Sequence, residues 1–312
     1  MNDFETRLTE ALSTGAEQAP DADGLAAGAR ARARTRRRTR VAVGIGVVVA
    51  ALAVPVGVLA LGGDDTPDGN RVATDPSDQA PKGWHTVEHE GVLVDIPGGW
   101  GRLDTSSCEF EMVKYGPSGS DPCAYDDESL NFYASATFDA AHGPGLRSEE
   151  GQWAGYVYTG DWAVYATIAD LDQARRVLGS ARKEGQKAPD LSAGWRTESY
   201  GGLAIDVPAD WQDGALANWC IDKSVRGRVE RPGTRALLIH CSPETGYGIR
   251  FGKGSTGNDA GITEQTGPEF PEGSWAGVAI APDDTGKPIG FVQVVAPTEA
   301  LAELIGGSLR AE

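Results

Sequence analysis

Two stretches of this chain are written almost identically. GVLVDIPGGW runs from Gly91 to Trp100, and GLAIDVPADW runs from Gly202 to Trp211, at an offset of 111 residues. Extended leftward to Gly83 and Gly194, the match gives seven identities in eighteen positions and three further exchanges among Val, Leu and Ile. A fixed-offset match of this kind is the signature of an internal repeat, a structural unit that the chain builds more than once. Other anchors agree. Trp153-Ala154-Gly155 recurs as Trp275-Ala276-Gly277 at 122, and Gly179-Ser180 with Arg182 recurs as Gly307-Ser308 with Arg310 at 128. Cys108 and Cys220 are 112 apart, and Cys123 and Cys241 are 118 apart. The offset only grows along the chain, as it must when the second copy carries short loop insertions. The cysteines therefore occupy equivalent places in the two copies.

Some 80 residues of different character precede the repeats. Val41 to Leu61 is a run of 21 residues without a charge, and as a helix it spans ~31 Å, close to the hydrocarbon thickness of a bilayer. Seven arginines fall between Arg30 and Arg40, among them Arg36, Arg37, Arg38 and Arg40, whereas GGDDTPDG follows the run. That asymmetry holds the N-terminus in the cytoplasm and sends the repeats outside. The competing reading is a cleaved export signal, with Arg36-Arg37-Arg38 as a twin-arginine motif and Val58-Leu59-Ala60 as the cleavage site. Either route leads to an oxidising compartment, where four cysteines distributed two per repeat read as two disulfides, Cys108 with Cys123 and Cys220 with Cys241. The net charge is −17, and because residues 1–40 hold eight Arg against six acids, 20 Lys and Arg face 39 Asp and Glu beyond them. Such a surface repels phosphate backbones and excludes nucleic acid as its partner.

The sequence thus divides into a cytoplasmic arm, 1–40; a transmembrane helix, 41–61; a tether, 62–82; repeat 1, 83–182; a linker, 183–193; and repeat 2, 194–312. In the arm, Phe4, Leu8 and Leu12 recur at helical spacing and form a thin apolar face for a cytoplasmic partner. The tether is rich in Asp, Pro, Gly and Ser and lacks periodicity. Within repeat 1, Val92, Val94 and Ile96 alternate along a strand that Pro97 stops, FYASATF (132–138) reads as another strand, and YVYTGDWAVYATI (156–168) as a hairpin about Thr159-Gly160-Asp161. Repeat 2 echoes the hairpin with a turn at Asp283 to Gly286. Each repeat closes with a helix, LDQARRVLGSAR capped by Asp170 and EALAELIGGSLR capped by Thr298. The expected class is α+β: two tandem repeats of an antiparallel sheet with packed helices, preceded by one transmembrane helix.

A strand ending in DIPGGW or DVPADW, several strands after it, and a last helix ending in GSLR resemble the Mog/PsbP-like α/β/α sandwich of exported bacterial lipoproteins, over about 210 of the 312 residues. The resemblance implies binding or assembly roles and no catalytic set. Residues 1–62, through TRLTEAL, the arginine block and the apolar run, are similar to the leaders of single-pass actinobacterial proteins that look like membrane-bound anti-sigma regulators. That implies a sigma factor as cytoplasmic partner. The zinc-type members of that group carry His-x-x-x-Cys-x-x-Cys, and this arm has neither His nor Cys, so any such binding proceeds without zinc.

Two motifs that elsewhere carry chemistry do not fit their surroundings here. HTVEH, His85 to His89, matches an inverted zinc-protease motif that requires a helix, but it opens a strand pair, and the second copy replaces His85, Glu88 and His89 by Arg196, Ser199 and Tyr200. GKGSTG, 252–257, matches a dinucleotide fingerprint without the helix that must follow it. Neither copy presents a recurring nucleophile, base and oxyanion set, so no enzyme, cofactor or metal is expected. Six of the eight tryptophans are repeat pairs and read as core. Trp162 and Trp219 have no counterpart and are the candidates for a ligand surface. The expected function is a single-pass sensor or regulator whose tandem domains bind an extracytoplasmic ligand or partner, with the cleft between the domains as the expected place. The alternatives are an envelope assembly or structural protein, and then an extracytoplasmic hydrolase.

Overall fold

In the computed structural model, which describes residues 80–110, 112–138, 141–253, 260–283 and 285–312, each copy of the duplicated phrase folds as a hairpin. Strands β1 (Trp84–His89) and β2 (Val92–Pro97) pair antiparallel in repeat 1, and β10 (Trp195–Tyr200) and β11 (Leu203–Pro208) pair in the same register in repeat 2. The connecting turns, Glu90-Gly91 and Gly201-Gly202, have positive φ at both residues. That is the two-residue turn whose twist matches a hairpin, and glycine adopts it without strain. The arm with Phe4, Leu8 and Leu12, the arginines Arg36, Arg37, Arg38 and Arg40, and the apolar run 41–61 lie outside the described residues. Among the described residues no helix is long and apolar enough to cross a membrane.

The rest of each copy is a six-stranded sheet with one helix. Repeat 1 contributes β3 (Trp100–Arg102), β4 (Val113–Pro117), β5 (Ser129–Ala134), β6 (Gly145–Glu149), β7 (Gln152–Thr159) and β8 (Trp162–Ile168), then helix α1 (Leu171–Gly179) and a short β9 (Arg182–Lys183). Repeat 2 follows with β12 (Gln212–Asp213), β13 (Arg228–Glu230), β14 (Gly248–Lys253), β15 (Gly261–Glu264), β16 (Trp275–Pro282), β17 (Pro288–Ala296), helix α2 (Glu299–Gly307) and β18 (Arg310–Ala311). The strand orders are β3-β4-β5-β8-β7-β6 and β12-β13-β14-β17-β16-β15, the same path twice. The class is α+β. Asp170 Oδ1 accepts from the Gln173 N–H at 2.7 Å and Thr298 Oγ1 from the Leu301 N–H at 3.2 Å, so both helices are capped as the sequence specifies.

Three features depart from the sequence reading. Both helices stop at the glycine of the Gly-Ser-x-Arg motif, and the arginine starts a two-residue strand that pairs with β2 or β11. The strand read at FYASATF ends at Ala134, where the carbonyl accepts from the N–H groups of Thr137 and Phe138 and turns the chain. The second sheet is not wholly antiparallel: β13 runs parallel to both β12 and β14, whereas β4 is antiparallel to both its neighbours. The longer segments 214–227 and 231–247 carry the chain back outside the sheet, so that β13 enters in the same direction as its neighbours.

The arginines of the Gly-Ser-x-Arg motif meet the aspartates of the duplicated phrase. Asp95 accepts from Thr86 Oγ1 at 2.7 Å and Arg182 Nη1 at 3.2 Å, while its N–H donates to Ser180 Oγ at 2.9 Å. In repeat 2, Asp206 accepts from Thr197 Oγ1 at 2.6 Å and Arg310 Nη1 at 3.2 Å, and its N–H donates to Ser308 Oγ at 2.9 Å. Both serines also donate to the last turn of their helix, at Val177 and Ile305. Asp206 takes one more donor, Arg175 of α1 in the other repeat. Helix α1 spans the two copies a second way, with Arg176 over the Trp84 ring at 4.4 Å and Arg175 over the Trp195 ring at 5.6 Å.

Helix α2 is shared as well. Ala300 and Leu304 join the core of repeat 1 beside Val157 and Val164, and Leu301, Ala302 and Ile305 join that of repeat 2 beside Ile249 and Val292. Its glutamates cap the end of β7 that runs past β6 and the turn after it: Glu303 Oε2 accepts from the Tyr158 N–H at 2.5 Å and Glu299 Oε2 from the Gly160 N–H at 3.0 Å. Burial pushes the Glu303 carboxyl up to about 8, the Tyr158 N–H works against this, and Glu299 adds to it. The folded state therefore holds the proton more tightly than the unfolded chain does, so this contribution is complete below the ordinary glutamate value and is lost as pH rises through about 8. Glu303→Gln keeps the acceptor and removes the titration. Thermal unfolding followed from pH 5 to 9 is expected to show a falling midpoint for the native protein that is flattened in the variant.

Arg182 is 1 % exposed and its partner Asp95 5 %, so Arg182→Ala leaves a buried carboxylate without its cation and is expected to cost about 3–5 kcal/mol. The side chain of Arg310 is 48 % exposed and Asp206 retains Arg175, so Arg310→Ala is expected to cost about 1 kcal/mol or less. Urea unfolding of the two variants measures the difference.

Candidate functional site

The linker and the inserted loops of repeat 2 enclose a cleft of about 850 Å³. One wall is the linker itself. Leu191 is buried in the second core, which fixes Ala188 to Ser192 against repeat 2. Asp190 accepts from the Ser192 N–H at 3.0 Å and pairs with Arg226. Hydrogen bonds from Ser192 and the Arg226 guanidinium together hold its carboxyl down to about 2, against a smaller opposing effect of burial.

Two tryptophans make the apolar part. Trp211 ends the Pro-x-x-Trp phrase and is 4 % exposed; the backbone of Gly227 lies so close to its indole that a Cβ there would sit 2.4 Å from Cε2. Trp219 lies in the 3-10 turn Leu216–Ile221. Its Nε1–H donates to the Pro243 carbonyl at 2.8 Å, and Gly246 packs against its base, where a Cβ would come within 2.3 Å of the tryptophan Cβ. No side chain other than hydrogen fits at 227 or 246, so both rings are fixed as parts of the wall. Tyr247 and the prolines at 208, 243, 271 and 297 extend the same surface, and Asp95 and Leu301 bring in repeat 1 and α2.

The polar lining leans cationic. Lys187, Lys223, Arg226 and Arg228 face Asp95, Asp190 and Asp210. Asp95 is taken by Arg182, and Asp190 and Asp210 both pair with Arg226, the latter at 3.5 Å. Among the described residues, Arg228 Nε and Asp210 Oδ1 are buried without a hydrogen-bond partner. Both atoms are closed off from solvent, and the lining around them mixes rings with a few charged side chains, as small-molecule sites do.

Trp162 lines a different cleft, of about 610 Å³, with His89, Arg102, Asp104 and Phe132. The His89 ring meets the Trp162 ring edge-on at 4.3 Å and the Phe132 ring at 5.1 Å. Burial lowers its pKa, as does Arg102, while Glu90 and Glu88 act in the opposite direction. HTVEH is the strand β1, and no cluster of metal-ligating side chains occurs among the described residues. Of GKGSTG, Gly252 and Lys253 close β14, while 254–259 lie outside the described residues. The two unpaired tryptophans are therefore not brought together. Cys108–Cys123 and Cys220–Cys241 are both disulfides. The first brackets β4 and the second β13, and the second holds the turn that carries Trp219.

Sequence reasoning did not single out Arg226, Arg228 or Tyr247: Arg226 and Tyr247 lie in the longer loops of repeat 2, where the copies do not align, and Arg228 opens the short strand between them. Trp211 reads as core from its repeat partner, and it is core and cleft wall at once. Comparison with known families, characterised proteins and solved structures finds no match for this chain.

The second disulfide closes a loop of 21 residues, which on the chain-entropy model stabilises by about 3 kcal/mol. Cys220→Ser with Cys241→Ser is expected to lower the urea midpoint accordingly, as urea unfolding followed by tryptophan fluorescence would read.

Proposed function

We propose that this chain is a single-pass membrane sensor or regulator whose tandem domains bind a ligand outside the cell and whose cytoplasmic arm holds a partner such as a sigma factor. The observation that carries the outer half is the cleft, where the linker meets the loops of repeat 2 and where Trp219 and Arg228 face one space. Its chemistry suits an anionic solute with a flat apolar ring face, the ring on Trp219 and the charge on Arg228 and Lys223. The inner half rests on the arm, the arginine block and the apolar run of the sequence. A PsbP-like sandwich for each repeat belongs to the same proposal and is supported by the shared path of strands closing in one helix.

The inner half is tested by crosslinking the full chain and a version lacking residues 2–29 in a bacterial host and identifying what copurifies from the membrane. The expected result is a sigma factor or other cytoplasmic regulator that is lost with the truncation. The same extracytoplasmic partners in both samples would reduce the arm to an anchor and leave a tethered envelope-binding module. For the cleft, calorimetric titration with a uronate oligosaccharide is expected to show binding that Trp219→Ala or Arg228→Gln weakens by about tenfold or more, the scale of an anchoring aromatic or arginine. Equal affinity for the neutral oligosaccharide would remove the anionic part of the assignment.

A further inference from the structure

The insertion that builds the cleft also raises a second feature. Every residue from Pro232 to His240 is exposed, and the tip is aliphatic: Leu237 is 57 % exposed, Leu238 103 % and Ile239 47 %. Ile221, 49 % exposed, stands on the adjoining turn. Side chains of this kind normally fold back onto the protein. Here the backbone holds them out. Asn218, 5 % exposed, binds Leu237 on both sides, its Nδ2 donating to the Leu237 carbonyl at 3.2 Å and its Oδ1 accepting from the Leu237 N–H at 2.8 Å. The Cys220–Cys241 disulfide fixes the base two residues beyond Ile239. A pinned aliphatic tip is an interaction surface, because exposed apolar clusters on soluble modules mark contact sites.

We infer that this finger enters a lipid surface. Its charge selects that occupant. Beyond residue 40 the chain holds 39 acids, yet none lies between Arg231 and Pro243. Arg231 is engaged by Glu198 and Asp213, which leaves Arg235 as the cation of the finger itself; on the adjoining turn the exposed Asp222 and Lys223 offset each other. On a strongly acidic module this is a local cationic and aliphatic patch, the pairing that favours anionic headgroups with acyl chains beneath them. Protein interfaces instead centre on aromatic anchors in broad complementary surfaces, and a three-residue aliphatic tip offers neither. The finger also lies within reach of a bilayer if the apolar run anchors the chain, a point that rests on the proposed function: the tether of 21 residues, 62–82, spans up to ~70 Å when extended.

The test uses the full chain in phosphatidylcholine vesicles with and without phosphatidylglycerol. All cysteines among the described residues are in disulfides, so Leu238→Cys adds a single thiol for an environment-sensitive fluorophore, and Ser118→Cys, on the exposed β4–β5 loop of repeat 1, serves as control. The label at 238 is expected to shift to the blue and to be quenched by nitroxide-bearing lipid about twofold or more beyond the control, more strongly with phosphatidylglycerol and less at high salt. Arg235→Glu should remove the dependence on anionic lipid. Equal quenching at both positions, or none, overturns the finger. Resistance of the chain to an alkaline wash scores the anchor separately. A chain stripped by the wash but quenched at 238 before it refutes the anchor and keeps the finger, and a resistant chain without quenching does the reverse.

Discussion

Each repeat is organised around one aspartate in the middle of its second strand. Asp95 and Asp206 sit where the chain must bury a carboxylate, and a buried carboxylate demands donors. Threonine on the first strand and the arginine that follows the helix supply them, while the serine at the end of the helix accepts from the aspartate's own N–H. These donors come from the two ends of the repeat, so satisfying the carboxylate requires the opening hairpin and the closing helix to meet. The charge closes the unit. This also accounts for why the helices end early: only a chain that leaves the helix at Gly179 or Gly307 can turn its arginine back toward β2 or β11.

The same need explains what was legible in the sequence. Among the anchors that recur in both copies, Thr and Asp in the hairpin and Gly-Ser-x-Arg at the end are the members of this set, and the paired tryptophans belong to the two cores. Apolar alternation placed the strands, and the caps placed the helices, because both are local effects. Pairing direction is not local. Nothing in residues 228–230 distinguishes a strand parallel to its neighbours from one antiparallel to them; the direction is set by the length and path of the loops on either side, which alternation does not report. The cleft stayed hidden for the same reason, since Arg226, Arg228 and Tyr247 converge only when those loops fold.

The copies differ where they have diverged in length, and one such stretch lies between Trp211 and β14. In repeat 1 a disulfide of sequence separation 15 brackets an antiparallel β4; in repeat 2 one of 21 brackets a parallel β13. The longer loops supply Trp219, one wall of the cleft and the finger at 232–240. The frame is held constant by the buried aspartates while the loops outside it change, which is the division expected when a scaffold sets stability and its loops set recognition.

Coupling between the copies runs through the two helices, and it is uneven. Helix α1 reaches across with Arg175, which both donates to Asp206 and lies over Trp195, whereas α2 inserts Ala300 and Leu304 into the first core and caps β7 with two carboxylates. The α2 contact is costly as well as extensive: Glu303 is placed where burial opposes its charge, so the proton it takes up strengthens the junction at low pH and its ionisation weakens it. Leu301, two residues before that glutamate on the same helix, lies in the wall of the cleft. The cleft therefore shares a wall with the element that joins the two repeats, so the junction and the cleft are built on one helix.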